Sequence, residues 1–556
     1  MSDRFAAVVL TVVLALLLFL DVRGAVLVSP DEPRYAEIPR EMLATGDYIT
    51  PHLNGAPYFE KPPLLYWANA LSMRVFGHNA FAARLVTRLA AVGTAVLLII
   101  ALGGRRDDAW RWEWGWWSAV VFLSAPLDFA LGRVTLTDGL LSFTIAVTMF
   151  AVRAFVHARE DGRSGTGALV LVGVGAALAT LTKGLVGIVF PGLVFLIWVG
   201  IMGRWRRIRE LLLSPAPIVF LALALPWFIL VEQRNPGFTR FFFVHEHFAR
   251  FATGEASRPG PIYYFVAVVA AGFLPWTFLV PRAFAPLRAW RRERFAAHAD
   301  LLYFALWFLV ILVFFTLSRS KLVPYILPAM PAAAALVGAV LARQPVGHRR
   351  ALFAYAVAMS LIVAGGLGYG LASHALAAAR ATAWALAAGG ALLVGAWAGV
   401  RLAPRGERRG WLGAAAGWAG LYLVATLYLP TLAAERSENA LAPLAAALAR
   451  DGRATLVAYG AYPQSFPWEL QRPIVVANYV GELGSTWPLP DSLYWSKQEF
   501  WQRWSAGQRM VVAIRARDVR RFEALSDEPP TVLARHPVYV LLSNFIPADR
   551  NPRAVP

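Results

Sequence analysis

The sequence predicts a mainly α-helical, polytopic membrane protein. It has about 13 transmembrane helices and a C-terminal α/β domain outside the bilayer. Three observations predict this. The 556 residues are 58% hydrophobic and only 16% charged, with a mean hydropathy of +0.52; soluble domains sit near 45–50% apolar and about 25% charged. Apolar stretches of spanning length recur along residues 1–429, and the pattern then changes in kind. The same composition excludes intrinsic disorder, which needs low hydrophobicity. With no cysteine in the chain, disulfides, thiolate metal sites and cysteine nucleophiles are excluded. An extracytoplasmic domain must therefore fold on packing alone.

Crossing a ~30 Å hydrocarbon core takes about 20 apolar residues in a helix. Thirteen runs qualify, centred on 5–27, 80–102, 115–132, 137–156, 168–182, 184–202, 214–232, 262–281, 300–317, 322–342, 351–371, 382–400 and 411–429. The first is long and lacks a small-residue cleavage site, which reads as an anchor and not a signal peptide. Only Thr182-Lys183-Gly184 separates the fifth from the sixth. That leaves two options, a tight hairpin of two short spans or one broken helix.

Orientation follows from arginine. Taking Met1 as cytoplasmic, six short loops face inward, at 103–114, 153–167, 203–213, 282–299, 343–350 and 401–410. They hold 22 arginines and eight acidic residues, a balance of +14 out of the formal charge of +19. Positive charge collected in short loops on one side is the positive-inside pattern. It explains a balance that on a soluble chain would point to nucleic acid, and nucleic acid is excluded as a partner. The domains follow: a transmembrane domain over 1–429 with outer loops at 29–79 and 233–261, and an outer domain over 430–556. That tail holds 14 basic and 12 acidic residues. Its short β-type runs, Ala454–Tyr459, Pro473–Ala477, Met510–Arg515 and Val538–Ser543, alternate with segments long enough for helices. No internal repeat is visible, so an inverted-repeat transporter is not supported.

Polar residues gather in the outer loops. The first contains Asp31-Glu32-Pro33-Arg34-Tyr35-Ala36-Glu37 and Tyr58-Phe59-Glu60-Lys61-Pro62-Pro63. Arg34–Leu43 and Leu64–Phe76 can each form an amphipathic helix in the interface. A solvated loop would also be polar, but aromatic residues beside nearly every charge favour binding. Asp138 opens the fourth span in Thr135-Leu136-Thr137-Asp138-Gly139. A carboxylate there can cap free N–H groups and meet the positive end of the helix dipole. A charge near hydrocarbon is usually partnered, and Lys61 is the expected partner. The chain has 49 arginines but only four lysines, Lys61, Lys183, Lys321 and Lys497, all on the outer face. An ammonium approaches phosphate as a point charge, whereas arginine grips it as a fork. Lys183 and Lys321 therefore read as phosphate-facing cations, with snorkelling to headgroups as the bland alternative. In the second outer loop, His245-Glu246-His247 lacks the i, i+4 spacing of helical zinc proteases. A metal site, a structural histidine cluster and a lipid-phosphate contact all stay open there.

The early Asp-Glu-x-Arg-Tyr-Ala-Glu, the Tyr-Phe-Glu-Lys-Pro-Pro and the Thr-Asp-Gly after the third span together resemble the bacterial aminoarabinose transferase family. These lipid A-modifying enzymes fall in the GT-C superfamily, which includes protein O-mannosyltransferases. The likeness extends over the spans and the tail. It implies an inner-membrane glycosyltransferase with its active site on the periplasmic side. The donor would be an undecaprenyl phosphate-linked sugar and the acceptor a lipid A phosphate. Carried over by motif, Asp31 matches the catalytic carboxylate and Asp138 a second carboxylate paired with Lys61. Lys61 and Arg250 match the groups that hold the carrier phosphate. Glu60 and His245 match positions associated with a bound metal, expected to be zinc. Tyr35, Tyr58 and Tyr325 match tyrosines that line the cavity, Tyr325 through its Ser-Lys-Leu-Val-Pro-Tyr context, and Arg34, Lys183 and Lys321 are placed with them.

The first-loop motifs serve the polyprenyl phosphate more than the sugar. A polyprenyl-dependent mannosyltransferase acting on proteins or other envelope glycans is therefore the nearest alternative, with a lipid flippase and a scaffold behind it. No nucleotide cofactor is expected, since the chain has no Asp-x-Asp triplet and no P-loop. Membrane lipids are the remaining partners, and a monomer is expected.

Overall fold

The computed structural model describes residues 3–21, 26–103, 109–249, 259–287, 297–343, 349–376, 378–436, 438–449, 454–479, 481–483 and 487–546. Two compact units emerge. One comprises residues 1–21, 60–65 and 84–428, the other residues 22–59, 66–83 and 429–556. Most of the first outer loop thus groups with the tail.

The first unit is a bundle of apolar helices. Among the described residues nine helices are long and apolar enough to cross a membrane. They become ten if Tyr264–Gly272 and Trp276–Leu287, bent by 105° at their junction, count as one. The other three runs of the expected thirteen are helices too, but shorter: Asp3–Phe19, Val186–Met202, and a run broken into Ala109–Ser124 and Pro126–Gly132. The breaks have a local cause. Pro126 and Pro275 bring no N–H to continue the ladder, and the ring crowds the preceding turn.

Lys183-Gly184 resolves as a hairpin. Gly184 at φ 76° ends the helix Thr166–Lys183, a left-handed turn that costs glycine nothing. The next helix then returns so closely that a Cβ on Gly187 would lie 2.5 Å from the Ala179 carbonyl carbon. Small residues also let Met330–Ala342 press against Ala109–Ser124. There the Trp114 Nε1–H donates to the Ala335 carbonyl at 2.7 Å.

Several ion pairs of this unit gather near helix ends. One end carries Arg4–Glu113 (2.9 Å), Arg408–Glu113 (2.6 Å), Arg409–Asp3 (2.7 Å) and Arg153–Asp300 (2.6 Å). These residues come from the N-terminus and from the ends of spans that feed the loops read as inward. Elsewhere Arg88, fully buried, grips Asp21 with both nitrogens at 2.7 and 2.8 Å.

The second unit is α/β. Its small hairpin pairs β1 (His52–Leu53) with β2 (Ala56–Pro57). Its main sheet uses β3 (Thr455–Tyr459), β4 (Val475–Ala477), β5 (Tyr494–Trp495), β6 (Met510–Arg515), β7 (Thr531–Arg535) and β8 (Tyr539–Ser543), in the order β5-β4-β3-β6-β8-β7. The first four are parallel neighbours, and β8 and β7 add on antiparallel. The register sets Val457 beside Val512 and Val512 beside Leu542. Phe500 and Trp504, one turn apart on Lys497–Ser505, join the same core. Each such side chain buried contributes roughly 1.5–3 kcal/mol. All four strands expected from the sequence are present. The two it did not reveal are the two-residue β5 and the edge strand β7, which follows Pro529-Pro530, is only partly buried and carries an irregularity between Val532 and Ala534.

The helix Asp31–Thr45 and, from Tyr66 on, the helix Leu64–Phe76 belong to this unit. Asn54 ties the hairpin turn to the sheet. Its Oδ1 accepts from the Ile474 N–H at 2.8 Å and its Nδ2 donates to the Ile474 carbonyl at 3.0 Å.

Gly338 tests the helix contact. A Cβ there would meet the Ser118 backbone nitrogen at 2.8 Å and Cα at 2.9 Å. Overpacking of this kind costs about 1–3 kcal/mol. Gly338→Val is expected to lower the melting temperature of the detergent-solubilised protein by several degrees, while Gly366→Val, at a glycine with open space around it, leaves it nearly unchanged.

Candidate active site

In the first unit the helix Thr137–Glu160 begins after an extended Leu136, which places Asp138 in its first turn. The helix Thr166–Lys183 ends at Gly184, which places Lys183 in its last turn. These two helices pack side by side, so a carboxylate at an N-terminus meets an ammonium at a C-terminus. The Lys183 Nζ donates to Asp138 Oδ1 at 2.5 Å. Each charge also faces the favourable end of its own helix dipole. The same ammonium lies 4.8 Å from the ring centroid of Tyr325, a cation–π distance. Asp138, Lys183 and Tyr325 therefore form one cluster.

This corrects one expectation. The ammonium recorded on Asp138 is that of Lys183, where Lys61 was expected. Adjacency of two helix ends decides it, and spacing along the sequence does not report that adjacency. The Lys61 Nζ donates to the carbonyl of its neighbour Glu60 at 2.8 Å. Lys321 also takes a structural post. Its Nζ donates to the carbonyls of Thr316 (2.8 Å) and Ser318 (3.0 Å) at the end of Ala299–Leu317, with Phe265 5.6 Å away.

In the second unit Asp31 opens the helix Asp31–Thr45 and is exposed. Arg34 Nη1 donates to its Oδ1 at 3.2 Å. One turn on, Tyr35 is buried against Tyr66 at 6.2 Å between centroids, and Tyr58 is buried as well. Glu37, fully buried, accepts from Arg40 Nε and Nη2 at 2.7 and 2.6 Å. Burial pushes its carboxyl up to about 8, against the pull of Arg40. Glu41, also buried, accepts from the Gly55 N–H at 3.0 Å.

Glu60 is half-buried, while His245 falls in the helical segment Arg240–Ala249 with its side chain outside the described residues. Arg250 lies outside them entirely. Among the described residues no three His, Cys, Asp or Glu side chains gather as a metal set, and no step is assigned to zinc.

A family model of dolichyl-phosphate-mannose-protein mannosyltransferases matches residues 5–242. The chain is 34% identical over 341 residues to the undecaprenyl phosphate-alpha-4-amino-4-deoxy-L-arabinose arabinosyl transferase of Serratia proteamaculans, which covers 60% of this chain and 58% of that one. It thus aligns with under two thirds of that relative's length. With the Edwardsiella ictaluri enzyme of the same name it is 29% identical over 524 residues, covering 91% and 92% of the two chains. The crystal structure of ArnT from Cupriavidus metallidurans bound to undecaprenyl phosphate matches with a TM-score of 0.83 at 30% identity, covering 97% of this chain and 98% of that one. The chain belongs to the aminoarabinose transferase family. This GT-C family membership accounts for the architecture described above, a helical membrane unit with an α/β unit carrying the tail.

Two measurements test the charge arrangement of this aminoarabinose transferase relative. Removing one member of a buried ion pair leaves the other uncompensated, at about 3–5 kcal/mol. Asp138→Asn and Lys183→Met should each lower the melting temperature sharply, and the double variant should recover most of the loss; additive losses would show that the two do not act as a pair. Glu37 gives a pH signature. With its folded pKa at about 8 against the usual 4.5, its stabilising contribution is full below the lower value and is lost as pH rises through the upper one, by up to about 1.4 kcal/mol per unit. The melting temperature should fall between pH 5 and 8, and Glu37→Gln should flatten that fall.

Proposed function

We propose that this protein is an inner-membrane glycosyltransferase that moves a sugar, 4-amino-4-deoxy-L-arabinose, from undecaprenyl phosphate to a phosphate of lipid A on the periplasmic side. The observation that carries the reading is the likeness, across 97% of the chain, to a protein crystallised with undecaprenyl phosphate. The protein acts as a monomer within the lipid bilayer.

The reaction breaks the bond between the sugar's anomeric carbon and the carrier's phosphate oxygen, and the electron pair leaves with undecaprenyl phosphate. An acceptor oxygen forms the new bond from the opposite face, so the anomeric centre inverts. Negative charge grows on the departing phosphate while the ring becomes positive. Lys61, with Arg250, stabilises the leaving phosphate. A preorganised donor of this kind contributes about 3–4 kcal/mol. Asp31 faces the developing positive charge or the incoming oxygen. A phosphate acceptor is already anionic and needs little base assistance, whereas a hydroxyl acceptor would need Asp31 to take its proton, worth about 10²–10⁴-fold.

A second reading, transfer of mannose to proteins, is favoured by the family-model match over residues 5–242. Transport is less well supported, because the sequence shows no internal repeat of the inverted-repeat transporter kind.

Purified protein incubated with labelled undecaprenyl phosphosugar and lipid A should yield lipid A heavier by one sugar, seen by mass spectrometry. Label on envelope protein in place of lipid A would support the second reading and overturn the first. Asp31→Asn and Lys61→Ala should each lower turnover at least about 100-fold while keeping a folded, inserted protein. Full turnover in either variant removes that residue from the mechanism.

A further inference from the structure

The second unit carries an open cavity of about 830 Å³, reached from the first-loop motif only through Arg34. Arg34 of the helix Asp31–Thr45 lines it together with Arg515 and Arg517 from the end of β6. Tyr462, Tyr479 and Tyr539 add aromatic surface. The one carboxylate in the lining, Glu438, is held within the protein by the hydroxyls of Ser29 (2.9 Å) and Ser465 (3.1 Å). The lining thus carries three guanidinium groups and one acid; Arg34 also pairs with Asp31 at 3.2 Å and Arg517 with its neighbour Asp518 at 3.8 Å. Arg515 is half-buried opposite its sheet partner Tyr539, and Arg517 is exposed at the rim.

Guanidinium forks match phosphate oxygens geometrically. The volume lies within the range of small-molecule sites, about 300–1,000 Å³, far more than a phosphate ion fills. Amphipathic tyrosines suit a hydroxyl-rich ring, with faces to pack on and hydroxyls to hydrogen-bond. The lining is mixed: Val26, Leu27, Val28, Pro30 and Val538 add apolar surface beside the arginines and tyrosines, which suits an amphipathic headgroup. Arg34 at its edge also holds Asp31, the carboxylate assigned to the reaction.

We propose that this cavity is the acceptor subsite, in which Arg515 and Arg517 hold the phosphate of a phosphorylated sugar headgroup. The proposal rests on the transferase reading above and names residues of the tail that the family motifs do not include. Arg515 and Arg517 are binding and positioning residues here, since neither is assigned a bond-making role.

Direct binding to the full-length protein in detergent tests it without turnover. The probes are diphosphoryl lipid A, the same lipid stripped of phosphate, and undecaprenyl phosphate. Arg517→Glu, at an exposed site that tolerates substitution, should weaken diphosphoryl lipid A at least tenfold, change undecaprenyl phosphate less than twofold, and leave the weak binding of the dephosphorylated lipid unmoved. Arg515→Ala should do the same, with Arg515→Lys restoring part of the affinity. Val538→Trp, which fills the cavity without altering charge, should weaken both forms of lipid A and spare the carrier. Unchanged lipid A affinity in Arg517→Glu, an equal loss for both lipids, or a loss confined to the carrier overturns the proposal. Failure of sugar transfer by the parent protein, with this binding pattern intact, would instead overturn the transferase reading and leave the site standing.

Discussion

An ionised side chain in hydrocarbon costs several kcal/mol unless it is partnered, and this constraint organises the first unit. Its helices are largely apolar, so the charges they carry are mostly paired: Asp21 with Arg88, Asp138 with Lys183, Glu113 with Arg4 and Arg408, Asp300 with Arg153. Each pair joins two or more helices that are distant in sequence. The pairs therefore fix which helix ends adjoin, something that apolar packing among Ala, Leu and Val leaves weakly specified.

The same constraint shapes the reactive groups. Asp138 and Lys183 neutralise one another while each satisfies a helix terminus, which makes the pair a rigid post and not a pair of free reagents. Lys321 is likewise anchored on the carbonyls that end Ala299–Leu317. Of the four lysines on the predicted outer face, two are thus held by protein groups at helix ends. The snorkelling alternative considered for them is replaced by something tighter, an ammonium buried against carbonyls or a carboxylate.

Much of this was legible in the sequence. Apolar runs of spanning length located the helices of the first unit, and β-type runs located four strands of the sheet. The amphipathic segment at Leu64–Phe76 was placed to the residue. The breaks were less legible: Pro126 and Pro275 sit in runs whose hydropathy is continuous, and only backbone geometry shows that they divide a helix. The partner of Asp138 was illegible for a related reason. Lys61 lies in a motif beside other charges, whereas Lys183 stands alone in a turn, and only the packing of Thr137–Glu160 on Thr166–Lys183 brings it to the carboxylate. Of the cavity in the second unit, the sequence marked only Arg34, through its place in the first-loop motif. Arg34, Tyr462, Tyr479, Arg515 and Tyr539 come from separate elements, and no local pattern connects them.

The restraint on Asp31 bears on its chemistry. Its partner Arg34, itself largely buried, stands three residues on at 3.2 Å. Pairs of this kind are worth about 0.3–0.5 kcal/mol. Asp31 is therefore oriented by its partner but not locked, and its exposed carboxylate edge is open to an arriving cationic centre. The buried pair of Glu37 and Arg40, one turn further along the same helix, has no such freedom, since Glu37 has no exposed surface and Arg40 also reaches the Gln471 carbonyl at 3.0 Å. One helix thus carries two carboxylate–arginine pairs at the same spacing, and burial alone separates their roles. The inner pair holds the helix to its unit, and the outer leaves a carboxylate available to a developing positive charge.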